Sequence, residues 1–109
     1  MAKRKPSCVK AVRYVADYVT SLGSDSPFRQ MIDEALDMLK ENMFVGESIE
    51  KKKSPKIYIQ KYDITSLYKY NLDKSHRLIY TIVADSPGVS VVVLEILNHK
   101  EYEKRFGYH

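Results

Sequence analysis

Apolar residues in the first part of the chain recur at intervals of three and four, the spacing that places side chains on one face of a helix. The interval holds over residues 8–22 and again over residues 28–43. Gly23 can end the first segment, and Ser26 followed by Pro27 is a typical helix start. We predict two helices, joined by a short turn and packed as an antiparallel hairpin.

From residue 66 onward the pattern changes to one typical of strands. Three segments show it: residues 66–72, 76–83 and 89–97. The last is almost continuously apolar and is predicted to be the central, most buried strand. Turn-forming residues separate the segments, so neighbouring strands should run antiparallel.

Two shorter segments complete the predicted fold. Residues 57–62 suit a strand by composition, but the preceding Ser54-Pro55 repeats the helix-opening pair and favours a short helical turn. Another helical turn is predicted over residues 99–106. Together the elements predict an α+β fold, with an N-terminal antiparallel helix hairpin packed on a three- to four-stranded antiparallel sheet.

The composition indicates one folded domain over residues 1–109. The chain has 109 residues, and its 44% hydrophobic content excludes wholesale disorder. A single cysteine, Cys8, excludes an intramolecular disulfide and a cysteine-rich zinc site. No apolar run approaches the roughly 20 residues that span a bilayer, and no long apolar stretch follows the basic N-terminus. We predict a cytoplasmic protein without membrane association.

Charge is distributed unevenly along the chain. Residues 48–77 carry eight Lys and Arg against three acids, whereas residues 25–47 carry six acids against two basic residues. A basic block beside a neutralising acidic segment suits an anionic partner such as nucleic acid. The alternative is an ordinary solvated surface.

The residue types argue against several kinds of site. The three histidines and Cys8 lack the spacing of metal ligands, and the chain has no glycine-rich phosphate loop and no G-x-S-x-G motif. Cys8 falls on the apolar face predicted for the first helix, which favours a core position over a nucleophilic one. We expect no metal and no small-molecule cofactor.

Polar side chains collect instead at the ends of the predicted strands. Glu50 precedes three consecutive lysines, Arg77 opens one strand, and His99 follows the last strand. Each also has a structural interpretation: a solvated loop, an ion pair of Arg77 with Glu95, and a surface histidine. Because the ends of antiparallel neighbours lie side by side, Arg77 and His99 are expected to converge.

Short motifs in the second half resemble those of the RelE/ParE-type toxin superfamily. They are the L-Y-K-Y-N-L strand of residues 67–72, the H-R-L-I-Y strand of residues 76–80, and His99-Lys100 shortly before Tyr102. The order of elements over residues 27–106 is similar as well, and the C-terminal part resembles archaeal members. The resemblance implies a RelE-like fold and the toxin of a type II toxin–antitoxin pair. Such a toxin is a metal-independent endoribonuclease that cleaves messenger RNA on the ribosome and is inhibited by a cognate antitoxin.

The resemblance also implies roles for individual residues. Cleavage needs a base for the ribose 2′-hydroxyl, cations for the phosphate and an acid for the leaving 5′-oxygen. Arg77 would hold the scissile phosphate, and His99 would be the acid or alternatively the base. Glu50 would be the base, with Glu47 as the alternative. The other implied RNA contacts are basic or aromatic: Lys51, Lys52, Lys53, Lys69, Lys100 and Tyr102, the last by stacking on a base.

The chain also departs from the superfamily pattern. Lys69 and Asn71 occupy positions where members carry arginine, and Lys100 follows His99 where an arginine is usual. Arginine grips a phosphate through two parallel hydrogen bonds, which lysine and asparagine do not reproduce. Two alternatives to cleavage therefore stay open: a non-catalytic toxin that binds a protein such as DNA gyrase, and a protein that binds RNA without cleaving it.

Overall fold

A mixed sheet of five strands lies at the centre of the computed structural model, which describes residues 4–62, 64, 66–85 and 88–107. The strands are β1 (Cys8–Ala11), β2 (Glu47–Ser48), β3 (Tyr68–Asn71), β4 (His76–Asp85) and β5 (Gly88–Asn98). The helices are α1 (Arg13–Ser21), α2 (Pro27–Glu41), α3 (Lys56–Tyr62) and α4 (His99–Phe106), and Lys51–Lys53 forms a 3₁₀ turn. The predicted α+β class is confirmed.

Residues 8–11 form a strand, although their apolar spacing predicts the start of a helix. This strand, β1, runs parallel to the first half of β5. The helix begins only at Arg13, after the Val12 N–H donates to the Val93 carbonyl at 3.0 Å. The prediction is wrong here because four residues are too few to show a period of their own, and their backbone groups are satisfied by a distant strand.

The sheet is larger than predicted, and it is mixed rather than purely antiparallel. Its order is β1-β5-β4-β3-β2, with β1 parallel to β5 and the other described pairs antiparallel. The predicted meander corresponds to β3, β4 and β5. The additional strands, β1 and β2, have four and two residues, and their partners lie far away in the sequence. Local patterning does not reveal strands of this length.

Three helices begin close to their predicted positions. Ser26 caps α2, its Oγ accepting from the Arg29 N–H at 3.3 Å. Helix α3 follows Pro55 directly, as the helical alternative for this segment predicts. At the start of α4, Asn98 and Glu101 form a reciprocal capping box, in which each side chain accepts from the backbone N–H of the other residue.

The packing of α1 and α2 as an antiparallel hairpin stays a prediction. Both helices rest on the sheet, α1 against β1 and β5, and α2 against β1. The Arg29 guanidinium of α2 donates to the Val19 and Leu22 carbonyls at the end of α1, at 3.3 and 3.0 Å. The bond to Leu22 satisfies a carbonyl at the end of the helix, where intrahelical partners are lacking.

Helices cover both faces of the sheet. Leu78 and Tyr80 of β4 pack in the cluster that α1 and α2 share, whereas Ile79, between them in sequence, packs with residues of α3 and α4. Successive strand residues point to opposite faces, so the protein has two separate cores. We call the face that carries Ile79 the α3/α4 face. None of the helices that the structure describes is long and apolar enough to cross a membrane.

Candidate functional site

Two basic side chains from neighbouring strands meet over one tyrosine ring on the α3/α4 face. Lys69 of β3 pairs with Ile79 of β4, and Arg77 precedes Ile79 by two residues, so both point to this face. The Lys69 Nζ lies 5.5 Å and the Arg77 Cζ 5.7 Å from the centroid of the Tyr102 ring, which α4 supplies. We call Lys69, Arg77 and Tyr102 the cation cluster.

Lys69 is held in its charged form within this cluster. Its side chain is 24% exposed, and its Nζ lies 3.4 Å from the Glu47 Oε2 on β2. Burial by itself lowers the pKa of Lys69, but interactions with the Tyr102 hydroxyl and the Glu47 carboxylate outweigh it and raise the pKa above its ordinary value. Lys69 therefore carries a full positive charge at neutral pH.

Arg77 is oriented by backbone carbonyls rather than by an acid. Its Nη1 donates to the carbonyls of Asp73, Lys74 and His76 in and next to the β3–β4 turn, at 3.2, 3.5 and 3.3 Å. The ion pair considered from the sequence, Arg77 with Glu95, is not formed. No acidic side chain among the described residues forms an ion pair with Arg77, so its charge is not neutralised by a carboxylate.

The Tyr102 ring is the apolar surface against which the two cations lie. Its ring is only 4% exposed and stacks on Phe106 with centroids 4.5 Å apart. A ring buried in this way has no face free for a base, so the structure offers it as a platform for Lys69 and Arg77 rather than as the stacking surface that the resemblance implies. The negative face of an aromatic ring attracts a cation by about 0.5–1 kcal/mol or more when water is excluded.

An open cleft of about 300 Å³ lies beside Lys69, at the edge formed by β2 and β3. Its lining residues are Val45, Gly46, Glu47, Lys69, Tyr70 and Asn71. The loop that leads into β2 is held by Tyr80, whose hydroxyl donates to the Met43 carbonyl at 2.8 Å and accepts from the Gly46 N–H at 3.0 Å. Burial raises the pKa of Tyr80 to about 12, against the opposing effect of the Gly46 N–H. An anion in the cleft would be in reach of Lys69.

Glu50 and the lysine triplet lie toward the opposite end of β3. The chain runs antiparallel to β3 from Glu47, and the Ile49 N–H donates to the Leu67 carbonyl at 2.8 Å. Arg77, in contrast, pairs with Asn71 at the end of β3. Strand register therefore separates the backbones of Glu50 and Arg77 by roughly 15 Å along the sheet. The side chains of the triplet, Lys51, Lys52 and Lys53, are exposed, and the Lys52 Nζ lies 3.7 Å from the Glu50 Oε2.

His99 lies at the end of the sheet that carries Arg77. His76 pairs with Asn98, so the start of β4 and the end of β5 are side by side, and His99 is the first residue of α4. Its side chain is exposed, and its Nε2 contacts Glu103 Oε1 one helical turn further on. Lys100, the next residue, is also exposed. The predicted convergence of the His99 and Arg77 side chains on one phosphate stays a prediction.

A buried network that the sequence analysis missed lies under α3 and α4. Glu95 of β5 is 8% exposed and accepts from the Tyr58 hydroxyl at 2.5 Å and from the Arg105 Nη2 at 2.9 Å. Burial, together with the bond to Glu95, raises the pKa of Tyr58. The available signal was a lone acid in an almost wholly apolar strand, but its two partners come from helices whose packing the sequence does not specify.

The described residues contain no group of three histidine, cysteine, aspartate or glutamate side chains that could hold a metal ion. His109 lies outside the described residues. Cys8 is exposed on β1, with its Sγ 3.2 Å from the Ser90 Oγ. The predicted core position of Cys8 is therefore wrong, because the helix on which that position depends does not exist there.

Comparison with known proteins gives one match among solved structures. No model of a known protein family matches the chain, and no curated protein sequence matches it. The matching structure is an archaeal RelE–RelB complex from Pyrococcus horikoshii OT3, with 18% sequence identity and a TM-score of 0.48. The match covers 91% of this chain and 97% of the other. Similarity of this strength does not assign the chain to a family.

Proposed function

We propose that this protein binds single-stranded RNA through the cation cluster and acts as a RelE/ParE-type toxin. The observation that carries the proposal is the pair of cations held over the buried Tyr102 ring, one of which, Lys69, also lines an open cleft. Arg77 has no carboxylate partner among the described residues, and Lys69 has only the exposed Glu47. A phosphate is the ligand that matches two adjacent, pre-oriented cations, and phosphate contacts supply most of the affinity for RNA.

The proposed reaction is metal-independent cleavage of messenger RNA. Arg77 and Lys69 would stabilise the charge that grows on the scissile phosphate, and His99 would protonate the leaving 5′-oxygen. Glu47 lies beside Lys69, whereas Glu50 is paired with Lys52 further along β3, so the geometry favours Glu47 over Glu50 as the base. The lysine triplet and Lys100 would contact neighbouring phosphates of the RNA or the ribosome. An antitoxin protein would be the cellular inhibitor.

RNA binding can be tested by removing each cation of the cluster. Lys69→Gln and Arg77→Gln should each weaken binding of a short fluorescent single-stranded RNA roughly tenfold at low salt, because each removes one charge-assisted hydrogen bond to a phosphate. Lys40→Gln and Arg13→Gln are the matched controls, since they remove the same charge from exposed positions on α2 and α1. If the cluster and control variants lose RNA affinity equally, the loss is an effect of net charge, and the proposed site is contradicted.

Cleavage can be tested at His99. His99→Gln removes the proton donor from an exposed position and should leave the free energy of unfolding within about 0.5 kcal/mol of the parent value. It should abolish growth arrest and messenger RNA loss on controlled expression in cells, while RNA binding in vitro persists. If the variant protein arrests growth like the parent, His99 is not the acid.

A second candidate function is RNA binding without cleavage. It is favoured by the contacts of the two proposed proton-transfer residues, since His99 contacts Glu103 and Glu47 pairs with Lys69. The lysine and asparagine at positions 69 and 71 favour it too, because they grip a transition-state phosphate less firmly than arginine. Parent protein that binds RNA but leaves messenger RNA intact in cells would establish this function instead.

A further inference from the structure

Glu95 is a buried carboxylate that the proposed RNA contacts do not include. It lies in the middle of β5 on the α3/α4 face, among Ile79, Leu94 and Leu97, and is 8% exposed. A carboxylate in such a position is stable only when it is paired and hydrogen-bonded. Both of its oxygens have a partner, Oε1 the Tyr58 hydroxyl and Oε2 the Arg105 guanidinium.

The two partners belong to two segments that lie next to proposed RNA contacts. Tyr58 is on α3, which follows the Lys51–Lys53 turn after only two residues. Arg105 is on α4, which begins with His99 and carries Tyr102. Neither segment belongs to the sheet, and strand pairing fixes only the end of each segment that adjoins the sheet, at Ile49 and at Asn98. A single carboxylate on β5 bonds to both.

The contacts of α4 connect Glu95 to the cation cluster. Arg105 and Tyr102 are three residues apart and therefore neighbours on one side of the helix. The Arg105 guanidinium also lies over the Tyr58 ring, at 5.9 Å, and Phe106 packs between the rings of Tyr58 and Tyr102, with centroids 6.0 and 4.5 Å away. A shift of α4 away from Glu95 would move the Tyr102 ring from beneath Lys69 and Arg77.

We infer that Glu95 is a positioning residue that holds α3, which follows the lysine triplet, and α4, which carries Tyr102, in the relation needed for RNA to contact the triplet and the cation cluster at once. This inference rests on the proposed RNA binding. It predicts a change in RNA affinity opposite in sign to the change that net charge alone predicts. Removing an acid from a protein that binds a polyanion should strengthen binding, because the net charge becomes more positive. If Glu95 positions the cations, removing its charge should weaken binding instead.

The test compares Glu95→Gln with Glu34→Gln. Both remove one negative charge, but Glu34 is exposed on α2, which packs on the opposite face of the sheet. For a short fluorescent single-stranded RNA, Glu95→Gln should lower affinity roughly tenfold, the scale of one charge-assisted hydrogen bond, and make the dependence of affinity on salt shallower. Glu34→Gln should bind as tightly as the parent or slightly more tightly. Equal affinity of the two variants would overturn the inference.

Hydrogen exchange separates this inference from the proposed function. In Glu95→Gln the backbone amides of α3 and α4 should exchange faster than in the parent, while those of β4 should exchange at the parent rate. Parent-like exchange rates in both helices would overturn the positioning role, even if the variant binds RNA. Parent protein that binds no RNA would refute the proposed function, and faster exchange would still support the positioning of the two helices by Glu95.

Tyr58→Phe provides a variant without a change of charge. It removes one donor to Glu95 and keeps the ring, so it should shift exchange and RNA affinity in the same direction as Glu95→Gln. Tyr58→Phe serves as the test if Glu95→Gln does not fold. Hydrogen exchange and RNA affinity equal to those of the parent in Tyr58→Phe would then overturn the inference.

Discussion

Tyr80 shows how a single side chain positions the edge of the proposed site. Its hydroxyl bonds to the backbone at Met43 and Gly46, and its ring stacks on Tyr68 with centroids 5.1 Å apart. The loop after α2 is therefore fixed to β3 and β4 just before Glu47, the acid that pairs with Lys69. A buried tyrosine gains this role because its hydroxyl must find partners when its ring is buried.

Gly46 is the position at which we expect this edge to be most sensitive. A Cβ at Gly46 would lie 2.6 Å from the Lys69 carbonyl oxygen and 2.8 Å from the Tyr80 hydroxyl, so Gly46→Ala forces backbone to move. We expect it to lower the free energy of unfolding by about 1–3 kcal/mol, the usual cost of overpacking. Urea unfolding would measure the loss.

Gly23→Ala is the matched control for this substitution. The nearest atom to a Cβ at Gly23 is the carboxylate of the exposed Asp25 side chain, at 3.0 Å, which can rotate away. Its free energy of unfolding should stay within about 0.5 kcal/mol of the parent value. A Gly46→Ala protein as stable as this control would show that the loop is not held closely against β3.

At the scale of elements, a β-bulge in β5 determines which helices Glu95 contacts. Ile79 pairs with Glu95 and Tyr80 pairs with Val93, so Leu94 is an extra residue in β5. Regular alternation would place Glu95 on the same face as Val93, against α1 and α2. The bulge switches it to the α3/α4 face, where Tyr58 and Arg105 meet it.

The lysine turn between β2 and α3 is the element whose contribution to binding is easiest to separate. Changing all three lysines of Lys51–Lys53 to Gln should make the salt dependence of RNA affinity shallower, by about 0.7 in the log–log slope for each phosphate that a lysine no longer neutralises. Stability should change little, because the three side chains are exposed. A slope equal to that of the parent would identify the turn as a solvated surface.

At the scale of the molecule, the uneven charge of the sequence becomes a difference between two faces. The acidic helix α2 packs on one face of the sheet, with Asp33, Glu34 and Asp37 exposed. Lys69 and Arg77 point to the other face, where both lie close to the Tyr102 ring of α4. Two of these acids pair with basic residues of the same helix, Asp33 with Arg29 and Asp37 with Lys40, so the proposed attraction of a polyanion rests on the cation cluster.

The buried tyrosines should make the folded state sensitive to alkali. Folding raises the pKa of Tyr80 from 10.0 to about 12 and also raises the pKa of Tyr58. Because the unfolded chain loses these protons first, both contributions to stability are complete below pH 10 and fall as the pH rises, that of Tyr80 until about pH 12. Urea unfolding across this interval should show falling stability, and Tyr80→Phe should show a shallower fall. An identical pH dependence in the variant would contradict the burial of the Tyr80 hydroxyl.

Much of the fold could be predicted because its longer elements carry their own periodicity. Helix α2 has fifteen residues and β5 has eleven, enough for an apolar face or an apolar run to show in the sequence. The caps of α2 and α4 act within a few residues and are equally local. Of the proposed site, sequence and resemblance together indicated Lys69, Arg77, His99 and Tyr102 as residues of interest.

Only the tertiary structure decided how those residues combine. The strands β1 and β2 exist because distant segments supply their hydrogen bonds, and no local pattern encodes that pairing. Tyr102 supports cations because α4 folds back over the sheet, and Glu95 bonds to Tyr58 and Arg105 because a bulge turns it to that face. Contacts between residues far apart in sequence depend on register and helix packing, which are properties of the assembled core and are not encoded in any single segment.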